Sequence, residues 1–176
     1  LCQAGMPLTD VVDAAAGVRA VPGRVEVYPG EPTVVVDFAH TPDALDKVLA
    51  ALAPHVRGRL ICVFGCGGDR DPGKRPLMAQ AASKYADVLW LTSDNPRSED
   101  PATIVQEMRL GLSRSGGVHE CVDRRAAIEQ AIEQAEPADL VVIAGKGHED
   151  YQEIKGEKVP FSDREVALSA MGLKRR

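Results

Sequence analysis

The sequence predicts an α/β fold, a doubly wound and mostly parallel sheet with helices on both faces and a small hairpin near the C-terminus. Short apolar runs rich in Val and Ile recur along the chain, as in strands that a parallel sheet buries on both faces. Segments with apolar residues at helical spacing separate these runs, and loops rich in Gly, Asp and Pro follow several of them. This alternation indicates successive strand–helix units in one sheet.

The individual elements are predicted in chain order. Strands are expected at residues 33–38, 60–64, 88–91, 118–122 and 140–144. Helices are expected over residues 7–17, from Pro42 with Thr41 as its N-cap, over 76–85, from Pro101, and across 128–135. Residues 21–24 are typical of a turn and linker. The C-terminal part is expected to hold a hairpin over 151–160, a last helix opened by a Ser162–Glu165 capping box, and a solvated tail at 174–176.

Composition and charge exclude several classes of protein. The chain has 176 residues, 44% of them apolar, which suffices for one domain with a core. Its net charge of −5, without a block of like charges, argues against a nucleic-acid surface. No apolar run approaches membrane-spanning length and no signal peptide is visible, so we expect no membrane partner and a cytoplasmic location. The four cysteines form no C-x-x-C pair and the four histidines lack ligand spacing, which predicts free thiols and no metal site.

Four loops that follow predicted strands carry the unusual chemistry, and parallel strands place such loops at one edge of the sheet. They span residues 37–43, 65–76, 92–100 and 144–150. Arg70 and Arg97 would there meet Asp94 and Glu149. A pocket with fixed charges of both signs suits a zwitterion such as an amino acid. The residues alone therefore predict an α/β domain that binds a small zwitterionic ligand.

Two of these loops also have a plainer interpretation. Asp37, a carboxylate at the end of a strand, could meet a ribose hydroxyl pair or simply accept hydrogen bonds from backbone amides of the next turn. Pro96 stiffens the loop around Asn95, yet Arg97 could be a solvated arginine after a capped turn. Both alternatives stay open at this point.

The loop at residues 65–76 imitates a phosphate-binding P-loop without completing it. Gly68, Gly73 and Lys74 have the P-loop spacing. Arg75, however, stands where a Ser or Thr hydroxyl must hold Mg²⁺, and Pro76 lacks an amide that would contact phosphate. We therefore reject a P-loop and expect the glycines to let the backbone pass close to a ligand, with Arg70 in the same crevice.

Four motifs, in this order, resemble the C-terminal domain of the Mur ligase family, most closely its diaminopimelate-adding (MurE) type. They are Asp37-Phe38-Ala39-His40-Thr41-Pro42-Asp43, Gly65-Cys66-Gly67-Gly68-Asp69-Arg70-Asp71, Asp94-Asn95-Pro96-Arg97 and Gly145-Lys146-Gly147-His148-Glu149-Asp150. Phe38 stands where the family usually has Tyr, and Pro72 lies where the family varies. Residues 21–26 resemble the family's junction between domains. The resemblance implies that residues 1–24 are the tail and linker of a central ATPase domain, and residues 25–176 the amino-acid-binding domain.

The resemblance implies a Rossmann-like domain that supplies the amino-acid site and closes over ATP. In that family ATP phosphorylates the D-glutamyl carboxylate of a UDP-N-acetylmuramoyl-dipeptide. An amine of meso-diaminopimelate then attacks the acyl phosphate and forms an amide for peptidoglycan biosynthesis. Matched by motif position, the diaminopimelate contacts would be Arg70, Asp94, Asn95, Pro96, Arg97, Gly145 and Glu149. The nucleotide would lie near Arg24, Asp37 and His40, with Asp37 at the ribose.

The catalytic parts of that reaction are missing from the sequence as given. It contains no complete Walker A motif and no evident Mg²⁺ ligand, and it begins with Leu1 rather than Met. The resemblance assigns those parts to a central domain upstream, which would hold ATP and Mg²⁺ and, with the remaining domain, the UDP-linked substrate. We therefore expect an excised piece, monomeric, that binds its ligand without catalysis and contains no catalytic residue.

Arg97 is the expected source of selectivity, because diaminopimelate differs from lysine by a second carboxylate. A desolvated Arg97 without an anion would be uncompensated, which predicts rejection of lysine by roughly 3–5 kcal/mol. Two alternatives remain open. The chain could belong to a lysine-adding or folylpolyglutamate-type relative, or it could be a free-standing amino-acid-binding domain. A phosphate-binding loop upstream in the parent reading frame would separate the last alternative from a ligase.

Overall fold

The computed structural model describes residues 21–173. The predicted helix at 7–17 and the tail at 174–176 lie outside the described residues. The strands are β1 (Glu26–Tyr28), β2 (Thr33–Asp37), β3 (Leu60–Cys66), β4 (Val88–Ser93), β5 (Val118–Glu120), β6 (Leu140–Ala144), β7 (Tyr151–Ile154) and β8 (Glu157–Pro160). The α-helices are α1 (Pro42–Leu52), α2 (Lys74–Ser83), α3 (Pro101–Arg109), α4 (Arg124–Glu133) and α5 (Asp163–Ala170).

One six-stranded sheet organises the described residues, in the order β1-β2-β6-β3-β4-β5. Every neighbouring pair is parallel except β1 and β2, which are antiparallel. The hairpin of β7 and β8 forms a separate two-stranded sheet. The carboxyl ends of β2, β6, β3 and β4 consequently lie side by side at one edge. This confirms the predicted doubly wound architecture and the C-terminal hairpin.

Helices cover both faces of the sheet, because successive side chains of each strand point to opposite faces. Val35 packs with α1, α2 and α3, whereas Val34 and Val36 pack with α4 and α5. Thr41 caps α1 as predicted, since its hydroxyl accepts the Ala44 amide at 3.2 Å. Among residues 21–173 no helix has the length and apolar character that crossing a membrane requires.

The structure corrects several predicted boundaries. β1 was not predicted, because it has three residues and no apolar run. Helix α1, predicted to start at Pro42, ends at Leu52, since Pro54 has no N–H for the helix ladder, and a 3₁₀ turn follows. Helix α2 begins at Lys74 rather than Pro76, which can stand in the first turn because amides there have no partner within the helix. β5 ends at Glu120, short of the predicted residue 122.

Candidate functional site

A cavity of about 200 Å³ lies at the carboxyl ends of the parallel strands. All four loops contribute to its wall, so their predicted meeting at one edge is confirmed. The lining residues are Phe38, His40, Gly65, Cys66, Gly67, Arg70, Lys74, Asp94, Asn95, Arg97, Gly145 and Glu149. Six of the predicted site residues, Arg70, Asp94, Asn95, Arg97, Gly145 and Glu149, are in this set, and so is His40. Pro96 is buried beside them, whereas Arg24 and Asp37 are not in the cavity wall.

The hairpin of β7 and β8 holds Arg97 in an unusual backbone conformation. Arg97 has a φ of 52°, which costs a non-glycine residue roughly 1–2 kcal/mol. Its amide donates to the carbonyl of Glu153 at 2.9 Å, and its carbonyl accepts the amide of Lys155 at 2.7 Å. Gln152 adds a side-chain hydrogen bond to the carbonyl of Asp94 at 2.7 Å. The strained loop is thus fixed by contacts that the hairpin supplies.

The guanidinium of Arg97 already has partners inside the protein. Its Nη1 donates to the carbonyl of Gly68 at 2.8 Å, and its Nε lies 3.1 Å from Oε2 of Glu153. The side chain is 21% exposed. The expectation of an uncompensated Arg97 is therefore wrong, because Glu153 neutralises part of its charge. A lysine ligand would leave Arg97 with this partner, which reduces the expected penalty for lysine.

The glycine-rich loop lies directly against the Asp94–Arg97 loop. The amide of Gly68 donates to the carbonyl of Asn95 at 2.9 Å, and a Cβ at Gly68 would overlap the carbonyl oxygen of Pro96. Asp69 accepts the hydroxyl of Ser98 at 2.6 Å. Only a residue without a side chain allows this approach, so Gly68 is required where the two loops meet.

Arg75 confirms that this loop is not a P-loop. Its side chain is 1% exposed and pairs with Glu99 at 2.8 Å and with Glu107 at 2.6 Å. At the position where a P-loop has a hydroxyl residue, this chain thus has a buried arginine, and its ion pairs with Glu99 and Glu107 fix the loop. Arg70 differs from it, since its side chain is exposed, lines the cavity and makes no hydrogen bond or ion pair with another described residue. It is the cation of the site that is most available to an anion.

A buried ammonium lies behind the acidic side of the cavity. Lys146 has 0% exposure, and its Nζ lies 2.9 Å from Oε2 of Glu149 and 3.1 Å from Oδ1 of Asn95. Asp94 lies farther away, with its Oδ1 at 3.9 Å from the same nitrogen. Gly145 closes this side with a φ of 120°, and a Cβ there would lie 2.8 Å from Oδ2 of Asp94. The acids of the site are therefore grouped around one fixed cation.

The three residues predicted near a nucleotide have a different environment. Asp37 is buried, and its two oxygens accept the amides of Val25 at 2.8 Å and of Ala39 at 2.7 Å. The plainer interpretation of Asp37 thus describes its contacts in this structure. The Arg24 guanidinium lies 5.1 Å from the centre of the Phe38 ring, and His40 Nδ1 donates to the Phe38 carbonyl at 2.9 Å. A carboxylate has about four lone-pair sites, so Asp37 keeps capacity for a further donor.

Arg124 and Asp163 form a buried pair next to the strand ends that carry the site. Neither residue was predicted from the sequence. The guanidinium and the carboxylate form a buried two-pronged pair at 2.7 and 2.8 Å. The same guanidinium donates to the carbonyls of Ser93 at 3.1 Å and Ala144 at 2.9 Å, the last residues of β4 and β6. No local pattern marks a pair whose members lie 39 residues apart. Glu153 and Gln152 were missed for the same reason.

The cysteines of the described residues are free thiols, as predicted. Cys66 lines the cavity, but burial raises the pKa of its thiol to about 12, so it stays protonated and is a poor nucleophile. Burial raises the pKa of Cys62 to about 12 as well. Among residues 21–173 no group of His, Cys, Asp and Glu could hold a metal ion. The site therefore offers binding groups of both charges rather than a nucleophile or a metal centre of its own.

The model of one protein family, described as Mur ligase, glutamate ligase domain, matches residues 23–147. The chain belongs to this family. A relative from Ectopseudomonas mendocina, named UDP-N-acetylmuramoyl-L-alanyl-D-glutamate–2,6-diaminopimelate ligase, is 56% identical over 93% of this chain and 34% of its own length. A solved structure of an enzyme with the same name superimposes with a TM-score of 0.82 at 52% identity, covering 97% of this chain and 35% of the other.

A solved structure with lower sequence identity shares the fold. It is a bifunctional folylpolyglutamate synthase/dihydrofolate synthase, solved with Mn, AMPPNP and L-glutamate bound, at 23% identity and a TM-score of 0.60. It covers 81% of this chain and 33% of the other. The chain thus spans about a third of the length of the relatives that it matches.

Proposed function

We propose that this chain supplies the meso-diaminopimelate site of an ATP-dependent ligase that adds this amino acid to UDP-N-acetylmuramoyl-L-alanyl-D-glutamate in peptidoglycan biosynthesis. The observation that carries the proposal is the division of charge within one small cavity. Arg70, Lys74 and Arg97 line it together with Asp94 and Glu149. A ligand with two carboxylates and two ammonium groups complements such a wall, and relatives named for this reaction are more than half identical to the chain.

The role of each residue follows from its contacts. The Arg70 side chain makes no hydrogen bond or ion pair with another described residue and would bind one carboxylate with its two-pronged donor face. Arg97, whose Nη1 and Nε are held by Gly68 and Glu153, would bind the other carboxylate with its remaining N–H donors. Glu149 and Asp94 would accept an ammonium group. Pro96 and Gly145 would shape the wall, because the first is a buried part of the rigid loop and the second leaves space beside Asp94.

Arg24, Asp37 and His40 are proposed to lie near the nucleotide of the ligase. Asp37 would add a ribose hydroxyl to the amides that it already accepts, and the exposed Arg24 and His40 flank the Phe38 ring. ATP supplies the phosphoryl group that activates the carboxylate for attack by the amine. The described residues offer no metal-holding group, so Mg²⁺ would be held by the rest of the ligase, together with most of the ATP and the UDP-linked substrate. Residues 1–24 remain assigned to the preceding domain, and a monomeric, cytoplasmic enzyme remains part of this proposal.

Calorimetric titration of the chain with meso-diaminopimelate and with L-lysine tests the binding site. We expect saturable binding of diaminopimelate and a weaker response to lysine. Because a hydrogen bond to a charged group contributes about 1.5–3 kcal/mol, Arg97→Ala should weaken diaminopimelate binding about 10- to 150-fold. Arg57→Ala is the matched control, since Arg57 is exposed and lies outside the cavity wall. Equal affinity for lysine would favour a lysine-adding ligase instead. The observation that supports this second candidate is the Arg97–Glu153 pair, because it gives Arg97 an anionic partner without a second ligand carboxylate.

A chimera tests the activity of the whole ligase. The segment of the Ectopseudomonas mendocina relative that matches this chain is replaced by the chain, and amide formation is measured with ATP, the UDP-linked precursor and diaminopimelate. We expect addition of diaminopimelate that depends on ATP. A folded chimera that hydrolyses ATP but adds no diaminopimelate, beside an active parent enzyme, would refute the proposal.

A further inference from the structure

We propose that Lys146 is a positioning residue, which orients Asn95 and Glu149 so that Glu149 presents one carboxylate oxygen to a ligand ammonium group. The inference rests on the proposed function, because it names what keeps the ammonium-binding part of that site in order. Lys146 is not among the residues assigned to the ligand or to the nucleotide. Its side chain reaches the cavity only through its neighbours, since it has 0% exposure and is absent from the cavity wall.

The orientation of the Asn95 amide is set by two donors. Lys146 Nζ donates to Oδ1 of Asn95 at 3.1 Å, and the amide of Glu153 donates to the same oxygen at 3.0 Å. With both donors on the oxygen, the Nδ2 group must point to the other side. There it donates to Oε2 of Glu149 at 3.1 Å. Reversal of the amide would place its NH₂ group against two donors, so Lys146 and Glu153 together exclude it.

The same cation selects which oxygen of Glu149 stays available. Oε2 of Glu149 accepts both Lys146 Nζ at 2.9 Å and the Asn95 amide at 3.1 Å. Oε1 accepts no hydrogen bond from another described residue. Because Glu149 lines the cavity, one of its oxygens is held by the protein while the other remains for a donor on the ligand.

The charges around Lys146 leave a place for one further cation. Lys146 contributes one positive charge, and Glu149 and Asp94 contribute two negative charges at 2.9 and 3.9 Å. The buried Arg124 also interacts electrostatically with Asp94 and Glu149, but its ion pair with Asp163 balances its charge, so the cluster keeps one unbalanced negative charge beside the cavity. An ammonium group of the ligand would neutralise it, whereas a carboxylate would add to the imbalance.

Stability alone does not account for an ammonium at this place. Taking a charge out of water is costly, and well-packed apolar residues in place of buried ion pairs often leave a fold equally stable or more stable. Apolar side chains in place of Lys146, Asn95 and Glu149 together would need no polar partner. What lysine supplies here, and an apolar side chain does not, is a donor group that forms hydrogen bonds to both Asn95 and Glu149.

A double-mutant cycle on meso-diaminopimelate binding tests the inference. Lys146→Met and Glu149→Gln are each titrated alone and together, with circular dichroism as the check on folding. If Lys146 acts through Glu149, each single change weakens binding about tenfold or more, and Lys146→Met adds little when Glu149 is already changed. Losses that multiply, or unchanged binding in Lys146→Met, would overturn the inference while leaving the proposed function intact.

Lys158→Met is the matched control for this cycle. Lys158 Nζ lies 4.3 Å from the centre of the Tyr151 ring, and Lys146 Nζ lies 5.6 Å from the same centre. Lys158 is exposed on β8, and the side-chain hydrogen bonds of Asn95 and Glu149 do not involve it. Binding of diaminopimelate by Lys158→Met should equal that of the wild type. A tenfold loss in this control would overturn the inference, because it would assign the effect to the loss of any lysine near Tyr151.

A spectroscopic measurement decides the inference without ligand. The side-chain amide protons of Asn95 should exchange slowly with D₂O in the wild type, and about tenfold or more faster in folded Lys146→Met. Unchanged protection would overturn the positioning role. If wild-type chain fails to bind diaminopimelate, the proposed function fails and this measurement alone decides the role of Lys146. If Lys146→Met does not fold, Lys146→Leu replaces it in both experiments.

Discussion

Two parts of the site at the carboxyl edge of the sheet use their charged residues in different ways. We call the loops after β4 and β6, with the hairpin, the β4–β6 end, and the end of β2 with the loop after it the β2 end. At the β4–β6 end, Asn95, Arg97, Lys146 and Glu149 are fixed mainly by other side chains and by the hairpin, and three of these four line the cavity. At the β2 end, the buried carboxylate of Asp37 serves two backbone amides and lies outside the cavity wall. A charged residue at the end of a strand therefore indicates a ligand contact only when its hydrogen bonds leave it facing the cavity.

The largest expected effect concerns the support beneath the β4–β6 end. Arg124→Met leaves Asp163 buried without its partner and releases the carbonyls of Ser93 and Ala144. Removal of one member of a buried ion pair costs about 3–5 kcal/mol. Chemical denaturation should show a loss of unfolding free energy in this range. Arg125→Met is the control, since the neighbouring arginine is exposed and its pair with Glu129 contributes at most about 1 kcal/mol. Similar small losses in both variants would contradict the assigned support.

The second effect concerns the contact between the two loops at the same end. Gly68→Ala places a methyl group against the carbonyl of Pro96, which must move. Such overpacking costs about 1–3 kcal/mol, and the displaced loop carries Asn95 and Arg97. We therefore expect lower stability and weaker diaminopimelate binding, measured by denaturation and titration. Gly116→Ala is the control, because open space surrounds Gly116. Unchanged binding in Gly68→Ala would show that the loop adapts without loss.

The sequence predicted those parts of the molecule that are local in the chain. The apolar runs located β2, β3, β4 and β6, and their parallel order placed the four loops together. The Asp94–Arg97 motif and Glu149 lie within short segments, so pattern and resemblance found them. Arg124 and Glu153 act through partners far away in sequence, and only the packing of α5 and of the hairpin brings them to the site. The error about Arg97 has the same cause, since its partner Glu153 lies on another element.

The third effect distinguishes a structural role of Asp37, at the β2 end, from a role in binding diaminopimelate. Asp37→Asn replaces one accepting oxygen by an NH₂ group, so the amide of Val25 or Ala39 loses its partner. An unpaired, partly buried donor costs about 1–2 kcal/mol of stability. Diaminopimelate binding by the chain should stay unchanged, because Asp37 is outside the cavity wall. Asp43→Asn is the control, an exposed acid whose pair with Lys47 contributes little. A large loss of diaminopimelate affinity in Asp37→Asn would remove the difference between the two ends.

The smallest effect depends on pH and concerns Glu99, which pairs with the buried Arg75 behind the glycine-rich loop. The hydrogen bond from Arg75 lowers the pKa of Glu99 below its ordinary value of 4.5. Its stabilisation is therefore complete above pH 4.5 and is lost as the pH falls through the lowered pKa. Because Arg75 keeps Glu107 as a partner, Glu99→Gln should cost only about 1 kcal/mol at neutral pH. Denaturation of wild type and variant between about pH 6 and pH 3 should show this difference shrinking. A difference that stays constant over the same range would mean that the charge of Glu99 contributes nothing, and that Glu107 alone holds Arg75 in place.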